Sequence, residues 1–329
     1  MKRKTIRDAF LSLCVLLVTL VVAYGALTLG VHLFVDDGMQ FNLEMWKYAR
    51  DIKTISADPL IGHEHRPGTH SYLMGVDVAI NSQGLRDREI PLERTPGTDR
   101  ILMLGDSFIL GWGVPFEDII SKRLERLFAK DGKNVEVIST GVGNYNTVME
   151  VEYYLTRGIK FHPDVVVLNY TFNDAEPVPS YRDNGFFARN SELLTVFLGG
   201  MDSFLRRFGA ERRWDQYYLG LYDTPGWDAA KAAMHRLAES TRQQGIKLII
   251  VSWPELHDVQ HYRLQRITDL VHGVADAEHV PFVDLLSSVK DQESSKLWVT
   301  APDPHPNAYA NGLYADYLIP FLKPLLPTH

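Results

Sequence analysis

The sequence predicts an α/β fold: a three-layer α/β/α sandwich with a central parallel sheet, preceded by one N-terminal transmembrane helix. Three observations predict it. An apolar stretch without Asp, Glu, Lys or Arg runs from Ala9 to Val35. From Arg100 onward, short apolar runs of strand length alternate with longer segments of helical periodicity, the pattern of a parallel sheet covered by helices on both faces. Residues able to do chemistry cluster where the apolar runs end, and open parallel sheets place their ligands at the carboxyl ends of their strands.

Taken in order, the apolar stretch is about 27 residues long, enough to cross a bilayer as a tilted helix. Lys2, Arg3, Lys4 and Arg7 precede it, and Asp36, Asp37 and Glu44 follow. That excess of cations before the span places residues 1–8 in the cytoplasm and the folded part beyond the membrane, in a periplasmic or extracellular space. A cleaved signal peptide is the alternative, with Ala23-Tyr24-Gly25 as a small-residue site. The stretch exceeds the roughly 7–15 apolar residues of such a peptide, which favours a signal-anchor over 9–35. It is apolar on every face, unlike a core helix of a soluble domain.

Residues 36–99 read as a juxtamembrane helix, Phe41 to Ala57, and a small β-structured prelude, with alternation in Gly75-Val76-Asp77-Val78-Ala79-Ile80-Asn81. The main domain spans 100–329. Its strands are expected at Arg100 to Leu104, Val135 to Ser139, Val165 to Asn169, Ile246 to Ser252 and Val280 to Leu285, and a helix over Phe116 to Lys130 carries Ile119, Ile120, Leu124, Leu127 and Phe128 at helical spacing. The interval of about 176–228 is long for a loop. It holds an apolar segment, Leu193 to Phe208, and an aromatic one, Trp214 to Tyr222, and reads as an insertion that serves as a lid, a substrate wall or extra packing.

The chemistry lies in two separated segments. Leu104-Gly105-Asp106-Ser107 ends the first strand, and Asp303-Pro304-His305-Pro306-Asn307 lies near the C-terminus. A hydroxyl is a weak nucleophile until an imidazole takes its proton and a carboxylate orients that imidazole. Ser107, His305 and Asp303 supply those groups. The bland alternative is a turn in which Ser107 caps the following helix. The second strand runs into Thr140-Gly141-Val142-Gly143-Asn144-Tyr145-Asn146-Thr147, and the third into Tyr170-Thr171-Phe172-Asn173-Asp174. Both loops offer oxyanion donors, as backbone N–H groups and the Asn173 amide. For Asn173-Asp174 the competing reading is a helix cap or Asx-turn. An α/β-hydrolase elbow, Gly-x-Ser-x-Gly, is excluded because Ile109 stands two residues after Ser107.

Jointly these segments resemble the SGNH (GDSL) hydrolase superfamily, from about Arg100 to the C-terminus. The resemblance rests on Gly105-Asp106-Ser107-Phe108, the turn around Gly143-Asn144, Thr171-Phe172-Asn173-Asp174 and Asp303-Pro304-His305-Pro306-Asn307. It implies the flavodoxin-like fold of that superfamily, with Ser107 as nucleophile, His305 as base and Asp303 orienting His305. Ser107, Gly143 or Asn144, and Asn173 would form the oxyanion hole. Three departures stand out. Pro302 occupies the position three before His305, where Asp is usual. Thr171 replaces the usual Gly, which narrows the space beside the oxyanion. Asn144 replaces the usual Gly of the second block, and Asn tolerates φ > 0 better than most residues. Asn81-Ser82-Gln83-Gly84-Leu85-Arg86 resembles the lead-in of exported bacterial members.

The resemblance implies a serine esterase acting on acyl, by default acetyl, esters of small molecules or cell-envelope carbohydrate. The same residues suit an O-acetyltransferase in exopolysaccharide modification, served by envelope polysaccharide machinery. A third alternative is an inactive carbohydrate-binding scaffold. The net charge of −7 offers no basic surface for nucleic acid. The single Cys14 lies inside the span and leaves the exported part without a disulfide. His63-Glu64-His65 with His70, and His257 with His261, have loose metal-ligand spacing. Hydrogen-bonded histidines are the competing reading, and the chemistry requires no metal or cofactor.

Overall fold

The computed structural model describes residues 2–178, 191–208, 214–301 and 303–327, with backbone alone for 2–5, 202–208 and 303–304. Its elements begin with α1 (Lys2–Phe34), α2 (Phe41–Asp51), β1 (Lys53–Ile55), β2 (His63–His65), β3 (His70–Leu73) and β4 (Val76–Ala79). There follow β5 (Asp99–Leu104), α3 (Ser107–Leu110), α4 (Ile120–Lys130), β6 (Val135–Ser139), α5 (Thr147–Thr156) and β7 (Val165–Tyr170). The remainder is α6 (Glu192–Phe208), α7 (Trp214–Leu221), α8 (Pro225–Gln243), β8 (Lys247–Ser252), α9 (Gln265–Glu278), β9 (Phe282–Asp284), α10 (Leu286–Val289), β10 (Trp298–Thr300), β11 (Asp303–Pro306) and α11 (Ala308–Leu322).

The chain divides into two compact units, Met1–Lys47 with Arg182–Glu211, and Tyr48–Tyr181 with Arg212–His329. In the first, Ile6–Phe34 forms 29 residues of helix long and apolar enough to cross a membrane. At about 1.5 Å per residue it exceeds the roughly 30 Å of a hydrocarbon core. Helix α6 packs along α1, and Tyr24 Oη lies 2.8 Å from Ser191 Oγ.

The second unit is built on a parallel sheet of order β6-β5-β7-β8-β9. Counted from its first strand this is 2-1-3-4-5, a doubly wound order whose switch point lies at β5. Successive strand residues point to opposite faces. Ile101, Met103, Val165, Val167, Ile249 and Val251 pack with Leu124 and Phe128 of α4 and Tyr314 and Leu318 of α11. Leu102, Leu104, Val166, Leu168 and Ile250 pack on the other side with Met149 of α5, Met234 and Leu237 of α8, and Val271 of α9. Both faces are therefore buried, which is why these strands read as continuous apolar runs rather than as alternation.

Two helix boundaries differ by several residues from those the periodicity predicts, and the strand expected over Val280 to Leu285 is confined to Phe282–Asp284. The helix over Phe116 to Lys130 begins at Ile120, because Phe116–Asp118 is a 3-10 turn and Ile119 is extended. The helix expected to reach Ala57 stops at Asp51, and β1 pairs antiparallel with β2. Thr54 and Ile55 are β-branched and suit a pleated strand better than a helix end.

Buried cations fasten the segment before the sheet to the sheet itself. Arg100 is buried; it pairs with Glu136 at 2.8 Å and donates to the Pro91, Leu92 and Phe161 carbonyls. Lys122 Nζ meets the buried Asp87 at 2.8 Å. The Arg86 guanidinium donates to four backbone carbonyls, those of Asp77, Leu110, Gly111 and Val114.

Candidate active site

The register places three loops at one edge. Met103 lies opposite Ser139, and Leu104 opposite Leu168, so the residues after β5, β6 and β7 leave the sheet side by side. At the end of β5, Asp106 caps α3, its Oδ1 accepting the Phe108 N–H at 2.8 Å. The cap is Asp106 and not Ser107, which leaves the serine hydroxyl for another partner. Ser107 Oγ lies 2.7 Å from His305 Nε2 across 198 residues of sequence. The serine is buried and the imidazole half-exposed. His305 comes from β11, paired antiparallel with β10. Phe108 meets its ring edge-on at 5.1 Å, and Trp112 lies 6.4 Å away. Gly113 lets the loop after α3 press on β10: a Cβ there would sit 2.5 Å from Val299 Cγ1. Asp303 belongs to β11 by its backbone, and its side chain lies outside the described residues.

The loop after β6 is locked against the serine helix. Gly141 is required, since a Cβ would meet Leu110 N at 2.2 Å and the Ile109 carbonyl carbon at 2.6 Å. Of the two candidate backbone donors, Gly143 gives its N–H to Tyr48 Oη at 2.9 Å. Asn144 is exposed and adopts φ 67°, the left-handed conformation a glycine normally fills. Its N–H meets no acceptor among the described residues. The Gly143 N–H is thus engaged by the tyrosine, and the Asn144 N–H is not engaged by a described acceptor.

After β7, Thr171 does not turn its hydroxyl toward the open side. Thr171 Oγ1 lies 2.8 Å from Asn173 Oδ1, 2.9 Å from Asp174 Oδ1 and 3.1 Å from Asp106 Oδ2. The Asn173 carbonyl oxygen is engaged there, so its NH₂ end points away from Thr171. Behind the loop, Asp174 Oδ2 accepts from Thr147 Oγ1 at 2.9 Å, and both oxygens of the buried Glu150 lack a partner. One hydroxyl proton cannot serve three acceptors, so this group of carboxyls must carry protons of its own. Burial first, then the neighbouring carboxylates, push Glu150 and Asp174 well above the usual range. Burial also raises Asp106, against the opposing pull of the Phe108 N–H and His305.

This fixes a sign. Carboxyls raised in the folded state favour folding most fully below their unfolded value, and that contribution is lost as pH rises toward the folded one. Glu150→Gln is therefore expected to melt close to wild type near pH 4. The variant gains on wild type above the ordinary value of 4.5, by up to about 1.4 kcal/mol per pH unit. Thermal melts from pH 4 to 8 check this, and a difference that stays flat would refute it.

The histidines with metal-like spacing have hydrogen-bond partners. His63 Nε2 lies 2.9 Å from Gly143 O, and His65 lies between Tyr48 Oη (2.6 Å) and Gly84 O (3.0 Å). Glu64 pairs with Arg157, His70 with Asp77, His257 with Glu255, and His261 with Asp258. An open hollow bordered by Arg94, His162, Asp164 and Lys247 lies at the amino ends of β7 and β8, the edge opposite Ser107. The sequence reading missed Tyr48, Lys53 and Arg86 as supports of the site. The one available signal was the spacing of His63 and His65, which puts both imidazoles on one face of a strand.

A serine and an imidazole in contact at the carboxyl edge of a doubly wound sheet define a class, that of α/β proteins with an acyl-hydrolase type of site. The profile of the GDSL-like lipase/acylhydrolase family matches residues 103–313, more than half of the chain, and the protein belongs to that family of SGNH hydrolases. No curated protein matches the sequence significantly. Among solved structures, it is similar to TesA at 16% identity and TM-score 0.48, over 69% of this chain and 99% of that one. A lipase/acylhydrolase from Enterococcus faecalis matches at 16% identity and TM-score 0.45, over 70% and 98%. The psychrotrophic esterase EstA from Pseudoalteromonas sp. matches at 12% identity and TM-score 0.44, over 69% and 97%.

Proposed function

We propose that this protein is a membrane-anchored serine esterase that removes acyl groups, acetyl by default, from small-molecule or cell-envelope carbohydrate esters. The observation that carries the reading is the 2.7 Å approach of Ser107 Oγ to His305 Nε2. His305 takes the hydroxyl proton as Ser107 attacks the ester carbonyl. The Ser107 N–H, the Asn144 N–H and the Asn173 amide hold the oxyanion, and Asp303 orients the imidazole. His305 then gives its proton to the departing alcohol, and water, deprotonated by the same imidazole, resolves the acyl-enzyme. The apolar helix anchors the chain in the bilayer, with its N-terminus cytoplasmic and the catalytic domain outside. The chain reads as having no nucleic-acid partner. A sugar hydroxyl in place of water would turn the same residues into an O-acetyltransferase working with envelope polysaccharide machinery.

The test uses the full chain in detergent. A serine-directed fluorophosphonate is expected to label Ser107, and chromogenic acetyl and longer-chain esters to be hydrolysed. Absence of labelling, or undiminished hydrolysis by Ser107→Ala, would overturn the reading. Acylated sugar formed when an oligosaccharide is added would decide for the transferase. Asn173→Ala is expected to lower kcat by about 10²–10³ with an unchanged melting temperature. A loss below tenfold would remove Asn173 from the oxyanion hole.

A further inference from the structure

The peptide joining Gly143 to Asn144 is gripped at its carbonyl by residues from outside the parallel sheet. The Gly143 carbonyl lies 2.5 Å from Lys53 Nζ and 2.9 Å from His63 Nε2. Lys53 Nζ also reaches Asn144 Oδ1 at 3.0 Å and sits 4.6 Å over the Tyr48 ring. The protons can be assigned from the partners alone. Gly143 O and Gly84 O only accept, so His63 carries its proton on Nε2 and His65 on Nδ1. His65 Nε2 is then an acceptor, so the Tyr48 hydroxyl donates to it at 2.6 Å and accepts the Gly143 N–H at 2.9 Å. The Asn144 N–H, on the other side of the gripped peptide, meets no acceptor among the described residues.

We propose that Lys53 is a positioning residue of the oxyanion hole: with His63 it holds the Gly143 carbonyl, and thereby aims and polarises the Asn144 N–H of the same peptide. The proposal rests on the acyl-transfer reading above. A donor on a peptide oxygen draws electron density from the nitrogen, and bonds in series strengthen one another by about 10–30% each. The bond to Asn144 Oδ1 helps hold a non-glycine residue at φ 67°, a conformation that otherwise costs energy.

The surroundings give this device a pH signature. Tyr48 faces Lys53 from α2, His63 and His65 face it from β2, and the Arg86 cation lies beyond His65. Glu64, between the two histidines, is paired with Arg157. Burial pushes Lys53 down to about 7. Burial and the nearby Lys53 charge push His63 and His65 down to about 3, so both are neutral across the working range. Lys53 thus changes charge near neutrality, where His63 and His65 do not. Its charged form is the one that grips the carbonyl most strongly, so the proposal requires kcat to decline as pH rises past the Lys53 value.

The experiment compares wild type, Lys53→Met and Lys53→Arg as full chains in detergent, with a chromogenic acetyl ester from pH 5.5 to 9.5. Lys53→Met is expected to lower kcat about 10–10²-fold at pH 6.5, with KM changed less than about threefold, and to abolish the alkaline decline. Lys53→Arg, which stays charged, is expected to recover part of kcat and move that decline upward. Fluorophosphonate labelling of Ser107 in the same samples reports separately on the acyl-transfer reading. If Ser107 labels and Lys53→Met keeps the wild-type kcat or the wild-type alkaline limb, the Lys53 role is refuted while acyl transfer stands. If wild type is not labelled, both fall together.

Discussion

Ser107→Ala is expected to lower kcat for ester hydrolysis by about 10⁴–10⁶, His305→Ala by a comparable factor, and the double variant by no more than the worse single one. The reason is that the two groups act as one device. The hydroxyl needs the imidazole to become a nucleophile, and the imidazole has nothing to activate without the hydroxyl, so removing either removes the step. What survives is the contribution of the oxyanion donors and of binding, about 10³–10⁴ over water in comparable serine systems. Folding is expected to be spared, because the helix after the nucleophile is capped by Asp106 and the Ser107 Oγ contact is to His305. Rates of the two single variants and the double, with melting curves beside them, make the check. Losses that multiply would mean that the two residues act independently, and the 2.7 Å contact would then be incidental.

The parallel sheet was legible because burial on both faces leaves a strong local trace: Arg100 to Leu104 and Val165 to Tyr170 are nearly unbroken apolar runs bounded by turns. The family motif was legible because a nucleophile at a strand end needs a fixed short turn. What surrounds that motif was not. Tyr48, Lys53, His63 and Arg86 act on groups 24 to 95 residues away, and their bonds run to backbone atoms, which carry no residue identity for a pattern to find. Thr171 illustrates the same limit. In place of a glycine it reads as a steric departure, yet its hydroxyl faces Asp106, Asn173 and Asp174, a role visible only once three loops are brought to one edge.

Lys53 and Arg86 together make the segment before the sheet part of the site's support. Lys53 acts on the loop after β6, and Arg86 on the turns after α3. Asp87 and Lys122 add a buried ion pair between that segment and α4. A domain cut at the first strand of the sheet would lose all of these contacts.

Arg86→Ala is accordingly expected to cost about 3–5 kcal/mol of stability. The guanidinium is almost fully buried, and its four bonds of 2.7–3.0 Å all run to backbone carbonyls. Three of those carbonyls belong to Leu110, Gly111 and Val114, where the chain leaves the serine helix. Truncation strands buried acceptors at about 1–3 kcal/mol each when no water replaces the donor. Relief of the buried charge offsets part of that, as burial already pushes Arg86 down to about 10. At about 2–4 °C per kcal/mol, the melting temperature should fall by roughly 10 °C. Arg86→Lys should recover little, since a compact ammonium cannot span the carbonyls that a planar fork reaches. Arg88→Ala is the contrast: its pair with Glu125 is solvent-exposed, and such pairs contribute about 0–1 kcal/mol. If Arg86→Ala and Arg88→Ala melt within about 2 °C of each other, the Arg86 bonds do not hold the nucleophile turn. If only Arg86→Ala falls, and its kcat falls with KM held, the preceding segment is part of what keeps Ser107 aimed.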